Sequence, residues 1–554
     1  MKVLPKNFPF YDWVPKPLGI VFLLLLFIPI MTVSGVYSAN SAETIGGLGI
    51  QSEHITFVGF ATSVGMAAFS PFFYQLVCIR RQKLMLIIGF CILMVLSLFC
   101  AYTDSIYLLA FCSLVMGFVR QALLMCNLFT LIKYAFGIEA TINLTPGNEP
   151  KDEEGWDKLD REKTASQPLI YFIFMIIGQL GTWITAWFAY NYEWQYVYYA
   201  MFLGMGMAVL ICLVTMPYNP YPDGKIPITW SKFGNVTVFS LMCLSFIYIM
   251  VYGKVLDWYD STNIQWATMI CITCVGLFIW QENTRENPYF ILRVFRLKSV
   301  QGAILLFFGL MVLNSSQMFV NIFCSIGMKM DNLQVNELGN WVLVGYFIGL
   351  VTAIFFSKTG WHFKYIFALG FLLLGTYALF MYFEVQTEGL LSRMKWPIII
   401  RGAGMMMLYA VIAVYANQRM ALRYMSTWVC VMLTVRMIIA PGIGAAIYSN
   451  VLQERQQHYI TRFAQEYDRT DYVTTQQYQQ TIMGMKMQGK SETEAENMAA
   501  MSVKGKVQVQ ATLTAVKEMA GWTFYASVIC AGLVLAVPWT KRKLKPEVAE
   551  LAKA

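Results

Sequence analysis

Apolar runs long enough to cross a lipid bilayer recur about fourteen times between Pro17 and Trp539, separated by short polar turns. A hydrocarbon core about 30 Å thick takes about 20 residues of helix. Within it every backbone amide must find its partner inside the segment, so a chain with this rhythm folds as an all-α bundle of membrane helices. Of the 554 residues 57% are hydrophobic and 13% charged, about half the charged share of a soluble domain. A water-soluble fold cannot hide that much apolar surface.

The runs group as six, two and six. The first six lie between Pro17 and Met216, two follow near 234–252 and 264–280, and six more begin at Val300. This divides the chain into a first bundle (1–216), an extra helix pair with its connector (217–299) and a second bundle (300–554). Lys and Arg fall in every second loop: Arg80, Arg81 and Lys83; Arg285, Arg293, Arg296 and Lys298; Lys358 and Lys364; Arg419 and Arg423; and the tail Lys541, Arg542, Lys543 and Lys545. Positive charge is retained on the cytoplasmic side, so both termini are expected there. The net charge of +9 reflects this asymmetry and does not call for nucleic acid as a partner. The N-terminus leads into a full-length apolar run without a small-residue cleavage site and reads as a retained first helix.

Two loops are long. The cytoplasmic segment 137–168 (NLTPGNEPKDEEGWDKLDREK within it) is acidic, Pro/Gly-punctuated and poor in apolar residues, and reads as a flexible insertion. The outer segment 450–518 has polar helix formers with spaced apolar positions, breaks at Gly489 and near Gly505, and a capping box from Ser491 to Glu494. It reads as a helical hairpin extending the last two spans outward, either a solvated spacer or a docking surface. Of the 12 Cys, Cys271 and Cys274 have C-x-x-C spacing, but within a span, with no second pair and three His in the chain, they read as small apolar residues. No metal or cofactor is expected.

The order of several local patterns resembles the fourteen-helix drug:proton antiporters of the major facilitator superfamily, the EmrB/QacA type. Gly253 to Ser261, with Asp257 and Trp258, is similar to the family's G-x-x-x-x-W-x-x-S turn after the seventh span. Glu282 through Pro288 to Leu292-Arg293-Val294-Phe295-Arg296 resembles its connector before the ninth. Arg401-Gly402-Ala403-Gly404 matches R-G-x-G of the twelfth, and Arg436 with Gly442, Gly444 and Ala445, then Arg455, His458 and Gln510-Ala511, follows the thirteenth span and outer loop. The resemblance implies a major facilitator fold, two six-helix bundles around a central cavity working by alternating access. It also implies proton-coupled export of small amphiphilic or apolar compounds, a cell inner membrane location, and a periplasmic adaptor and outer-membrane channel as partners.

The chain departs from that family too. The first span (Phe27 to Val36) lacks the intramembrane Asp, the loop after the second keeps only Arg80-Arg81-Gln82-Lys83 of its pattern, and the fifth reads Gly178-Gln179-Leu180-Gly181-Thr182-Trp183 in place of the antiporter sequence. The fourth-span R-x-x-Q-G falls on Ser113 to Gly117, with Arg120 two helical turns further on.

A charge set deep in a span costs at least ~2.5 to 3.5 kcal/mol, so it faces a partner or a wet cavity. Arg120, Arg401 and Arg436 lie at such depth, and no Asp or Glu does. In a facilitator-type bundle the fourth and twelfth spans are pseudo-equivalent, so Arg120 and Arg401 are expected to face the cavity from opposite halves and favour anionic solutes. Asn314, Ser315 and Gln317 of the polar run in the ninth span are expected to add neutral hydrogen bonds. Arg436, Asp257, Glu282, Arg80 and Arg81 are candidates for coupling or gating. The alternative for each arginine is a structural role between helices. The expected function is secondary transport of small amphiphilic solutes without enzyme activity. Carriage of organic anions by a route lacking the usual proton site, and a transport-inactive sensor or scaffold, are left open.

Overall fold

A computed structural model describes residues 7, 9–72, 82–136, 153–218, 233–285, 289–359, 361–386, 389–418, 420, 422–466, 472–537 and 539. Fourteen helices among them are long and apolar enough to cross a membrane, and the described residues contain no strand. The first bundle comprises α1 (Lys16–Ala39), a short α2 (Ser41–Leu48), α3 (Ser52–Phe69), α4 (Gln82–Tyr102), α5 (Ile106–Phe136), α6 (Glu153–Asn191) and α7 (Tyr196–Thr215). The extra pair is α8 (Phe233–Tyr252) and α9 (Thr262–Thr284). The second bundle begins with α10 (Lys298–Asn314), carried on after a 3₁₀ turn by α11 (Met318–Ile322). It continues with α12 (Asn332–Gly339), α13 (Val342–Thr359), α14 (Phe363–Glu384), α15 (Leu391–Asn417), α16 (Leu422–Thr434), α17 (Ala440–Glu466), α18 (Tyr472–Met487) and α19 (Glu492–Ala536).

The bundles meet along two seams. At one, α6 packs on α12, α13 and α15; at the other, α3 and the 3₁₀ turn at 70–72 pack on α16. The extra helix α8 lies along this second seam, touching α3 of the first bundle and α17 of the second, and α9 packs on α8. One apolar core fills the first bundle around Phe27, Phe90 and Tyr198. A larger one runs through the second seam from Phe69 and Phe72 to Phe307, Tyr415 and Trp428.

In each bundle the helix that carries a deep arginine is held by direct backbone contact. A Cβ on Gly65 of α3 would lie 2.0 Å from Leu114 O, and one on Gly117 of α5 2.0 Å from Thr62 O. In the second bundle a Cβ on Gly345 of α13 would lie 2.2 Å from Ile399 O, and one on Gly402 of α15 2.8 Å from Val342 O. Only glycine permits such crossings, and in lipid, where apolar burial gives no drive between helices, close approach is what fixes them. The contact of α3 with α5 and that of α13 with α15 are therefore counterparts, setting Arg120 and Arg401 at related places.

Two sequence expectations are corrected. Within the insertion, residues 137–152 lie outside the described ones, but from Glu153 onward the chain is helical and continuous with the fifth span through Pro168, 39 residues in all. Acidic residues suit a helix N-terminus, and a segment joined to an existing helix escapes the nucleation cost that leaves such a sequence unfolded alone. In the outer segment the turn at Gly489 (φ +82°) and the Ser491–Glu494 capping box occur as expected, but Gly505 breaks nothing. An interior glycine costs about 1 kcal/mol, less than the flanking helix formers and the burial of Val507 and Ala511 restore. Helix α19 thus runs unbroken for 45 residues, about 68 Å, and α18 packs against it.

Candidate functional site

Arg401 lies on α15, the most buried of the fourteen candidate spans, and is 7% exposed. Opposite it, α10 gives way at Asn314 to a 3₁₀ turn over Ser315–Gln317. Residues three apart eclipse one another in such a turn, which stacks Asn314 over Gln317. One guanidinium nitrogen, NH1, consequently donates to both, 3.3 Å to Asn314 Oδ1 and 2.8 Å to Gln317 Oε1. The Tyr377 ring lies beneath it with its centroid 5.9 Å away, and the Tyr377 hydroxyl donates to Ser316 O at 2.9 Å, fixing the same turn. Arg401 Nε has no partner.

A second cation is set at the seam between the bundles. After α16 the backbone widens into a π-helical turn, Val435–Ile439, a local irregularity that redirects side chains. It places the Arg436 guanidinium 4.3 Å from the centroid of Tyr409. Tyr409, eight residues after Arg401 on α15, packs edge-on at 5.2 Å against Tyr171 of α6 in the first bundle. The Tyr171 hydroxyl in turn points to Met432 Sδ at 3.9 Å. NH1 of Arg436 is buried without a partner.

The first bundle holds Arg120, 4% exposed. Its NH1 and NH2 point at two thioether sulfurs, Met66 of α3 and Met31 of α1, each at 3.2 Å. Thioether sulfur is a weak acceptor, and Nε has none at all. Beside it on α5, both amide atoms of Gln121 are buried without partners, as is the hydroxyl of Thr62 on α3. Native interiors leave few such groups unsatisfied, and each asks for a ligand or a role. Among the described residues ion pairs join Arg393 to Glu384, Arg455 to Glu518 and Lys486 to Glu492, and none involves Arg120, Arg401 or Arg436. The three deep cations thus carry no protein counter-charge. Such an arrangement can accept an anion and disfavours a cation.

No family model and no curated protein matches the sequence. Among solved structures, a substituted form of the peptide transporter POT in complex with alafosfalin is similar at 12% identity, covering 94% of this chain and 93% of that one with a TM-score of 0.50. A tetrameric PepTSo2 is similar at 12% identity over 94% of this chain and 98% of that one, again with a TM-score of 0.50. The chain has the major facilitator fold. At this identity the likeness is one of fold.

Within a major facilitator fold the remaining candidates are placed as follows. Ser315 belongs to the 3₁₀ turn but not to the arginine cluster: its hydroxyl donates to Met311 O at 3.1 Å and backs onto Gly444. Asp257 is exposed and forms a tight turn at φ 53°. In that turn Trp258 N reaches Gly253 O at 2.7 Å, which accounts for the spacing of that pattern structurally. Glu282 is buried at the other end of the extra pair. Arg80 and Arg81 lie outside the described residues. Tyr171, Tyr377 and Tyr409 escape a sequence reading because hydropathy counts them as apolar. Tyrosine well inside a span, away from the membrane interfaces where it is usual, is the signal that could have found Tyr377 and Tyr409; Tyr171, near the start of its span, carries none. Among the described residues no group of three or more His, Cys, Asp or Glu could hold a metal.

Proposed function

We propose that the protein is a secondary transporter carrying small amphiphilic organic anions across the membrane by alternating access of its two bundles. The observation that carries the reading is a set of buried guanidiniums met only by neutral oxygens, sulfurs and aromatic faces. A cation so held is under-compensated, and a carboxylate or phosphate arriving at Arg401 forms the charge-assisted hydrogen bonds that Asn314 and Gln317 supply in weaker, neutral form. Tyr377, Tyr409 and Tyr171 offer rings to the apolar body of the solute. One solved neighbour, POT, is named as a peptide transporter, and the C-terminal carboxylate of a peptide is the kind of group that Arg401 would meet.

Outward direction and a proton gradient as the drive come to this reading from the resemblance to drug antiporters. So do an inner-membrane site and a periplasmic adaptor met by the hairpin of α17 to α19, whereas the cytoplasmic location of both termini rests on the basic residues of alternate loops. The test is uptake into proteoliposomes of a fluorescent amphiphilic carboxylate and of its uncharged amide. The wild type is expected to take up the carboxylate saturably, and Arg401→Gln to lower kcat/KM at least tenfold, the loss of about 1.4 kcal/mol. Equal handling of the acid and the amide, or unaltered flux in R401Q, overturns it.

A further inference from the structure

The connector that follows the extra helix pair joins three elements at one end of the second seam. Glu282, in the last turn of α9, is a buried carboxylate, 5% exposed. One carboxylate oxygen accepts from Asn235 Nδ2 of α8 at 2.7 Å, and the other from Phe290 N at 2.8 Å. The second bond draws the connector back under the helix pair, so that Tyr289 and Phe290 are buried. Their rings sit among Phe239 and Phe278, with centroids 5.4 to 6.3 Å apart. From there the connector reaches both bundles within three residues. The Tyr289 hydroxyl donates to Ala68 O in the last turn of α3, where helix carbonyls have no intrahelical partner. Ile291 N donates to Thr427 Oγ1 of α16 at 3.1 Å. Next to this bridge Cys430 Sγ of α16 donates to Ala67 O at 3.1 Å, and Trp428 is wholly buried.

We infer that this connector is a latch that holds the second seam closed at this end, with Tyr289 and Ile291 as its two hooks and Glu282 as the positioning residue. Its part in a transport cycle rests on the alternating-access reading above. The two hooks cannot both hold once α3 and α16 separate, so opening at this end requires the connector to let go of at least one bundle. The carboxylate bonds neither bundle itself; it fixes Phe290 and so aims its neighbours. A glutamine can do the same, because its oxygen accepts from Phe290 N while its NH2 donates to Asn235 Oδ1, which is unpartnered and reachable by an amide flip.

Cys430 reports the seam directly. In the full-length protein reconstituted without substrate, maleimide modification of individual cysteines is followed by mass spectrometry for the wild type, Glu282→Ala, Glu282→Gln and Tyr289→Phe. The latch predicts that E282A and Y289F modify Cys430 at least tenfold faster. E282Q stays within twofold of wild type, and Cys100 and Cys212, buried in the first bundle, remain unmodified in all four. A protein that merely misfolds exposes those two as well, and in that event Y289F alone decides. Unchanged Cys430 modification in Y289F, or E282Q behaving as E282A, overturns the latch. This labelling uses no solute and so stands apart from the uptake test of Arg401: faster Cys430 modification with no carboxylate uptake there would refute the transport reading and leave the latch standing, whereas uptake with Cys430 modification unchanged in Y289F would do the reverse.

Discussion

At Arg120 a full charge is buried against two methionine sulfurs, an arrangement that costs the fold stability unless something else uses the charge. Even a buried ion pair can often be replaced by well-packed apolar groups at no loss or at a gain of 1–4 kcal/mol, and a lone buried charge lacks the partner's attraction that offsets its desolvation. Arg120→Met is therefore expected to melt at or above the wild-type temperature in detergent while its uptake of the anionic probe falls at least tenfold. A lower melting temperature would make Arg120 a structural residue. Arg401 differs, since neutral partners hold its NH1 until the anion replaces them: Gln317→Leu removes the shorter of the two NH1 bonds and should lower KM for the anion with little change in kcat. A fall in kcat with KM constant would contradict that role. The arginines were legible because a charge in a span is conspicuous. The tyrosines around them were not, since tyrosine disperses among apolar neighbours in any hydropathy reading. Ser315 reads as one polar run with Asn314 and Gln317 because nothing in the letters reveals that the helix tightens to a 3₁₀ turn there, which sets the serine against Gly444.

The helices position these residues through contacts that sequence displays only in part. The run Arg401-Gly402-Ala403-Gly404 becomes intelligible once α15 is seen against α13 at Gly402 and against α14 at Gly404, where a Cβ would lie 3.1 Å from Gly370 O. Gly402→Val must push two backbones apart, which overpacking of this kind makes costly by about 1–3 kcal/mol or more. Gly178→Ala on α6, which has open space around it, should be neutral. Parallel melting curves test the pair, and equal tolerance of both would remove the glycine crossings from the account. Gly505 makes the opposite point. It lies exposed inside α19 with nothing near it, so Gly505→Ala should stabilise the outer helices by about 0.5–1 kcal/mol, read as slower proteolysis of that segment. Destabilisation would mean that the glycine serves a bend. Span count was readable from hydropathy because lipid imposes length and polarity together. The helix over 153–167 was not, since its order comes from the span it continues.

For the molecule as a whole, the two bundles repeat one plan: a deep arginine on a glycine-clamped helix reaching toward the bundle's first helix, Met31 on α1 in one half and Asn314 on α10 in the other. The outer helices stand apart from that plan. Their base is tied by Gln456 Nε2 to Thr512 Oγ1 at 2.8 Å and by Arg455 to Glu518 at 3.9 Å. Replacing residues 460–508 with a short Gly/Ser loop keeps both ties. The shortened protein is expected to transport normally in proteoliposomes and to lose export from cells, and normal export would dismiss the adaptor role. The central claim is that deep, unpaired guanidiniums select the charge of the solute. Its most direct measurement is the ratio of initial uptake rates for a carboxylate probe and its trimethylammonium counterpart in wild-type proteoliposomes. A ratio of at least ten that collapses toward one when Arg120 and Arg401 are both neutralised is the predicted result; a wild-type ratio near one, or below it, would contradict the account.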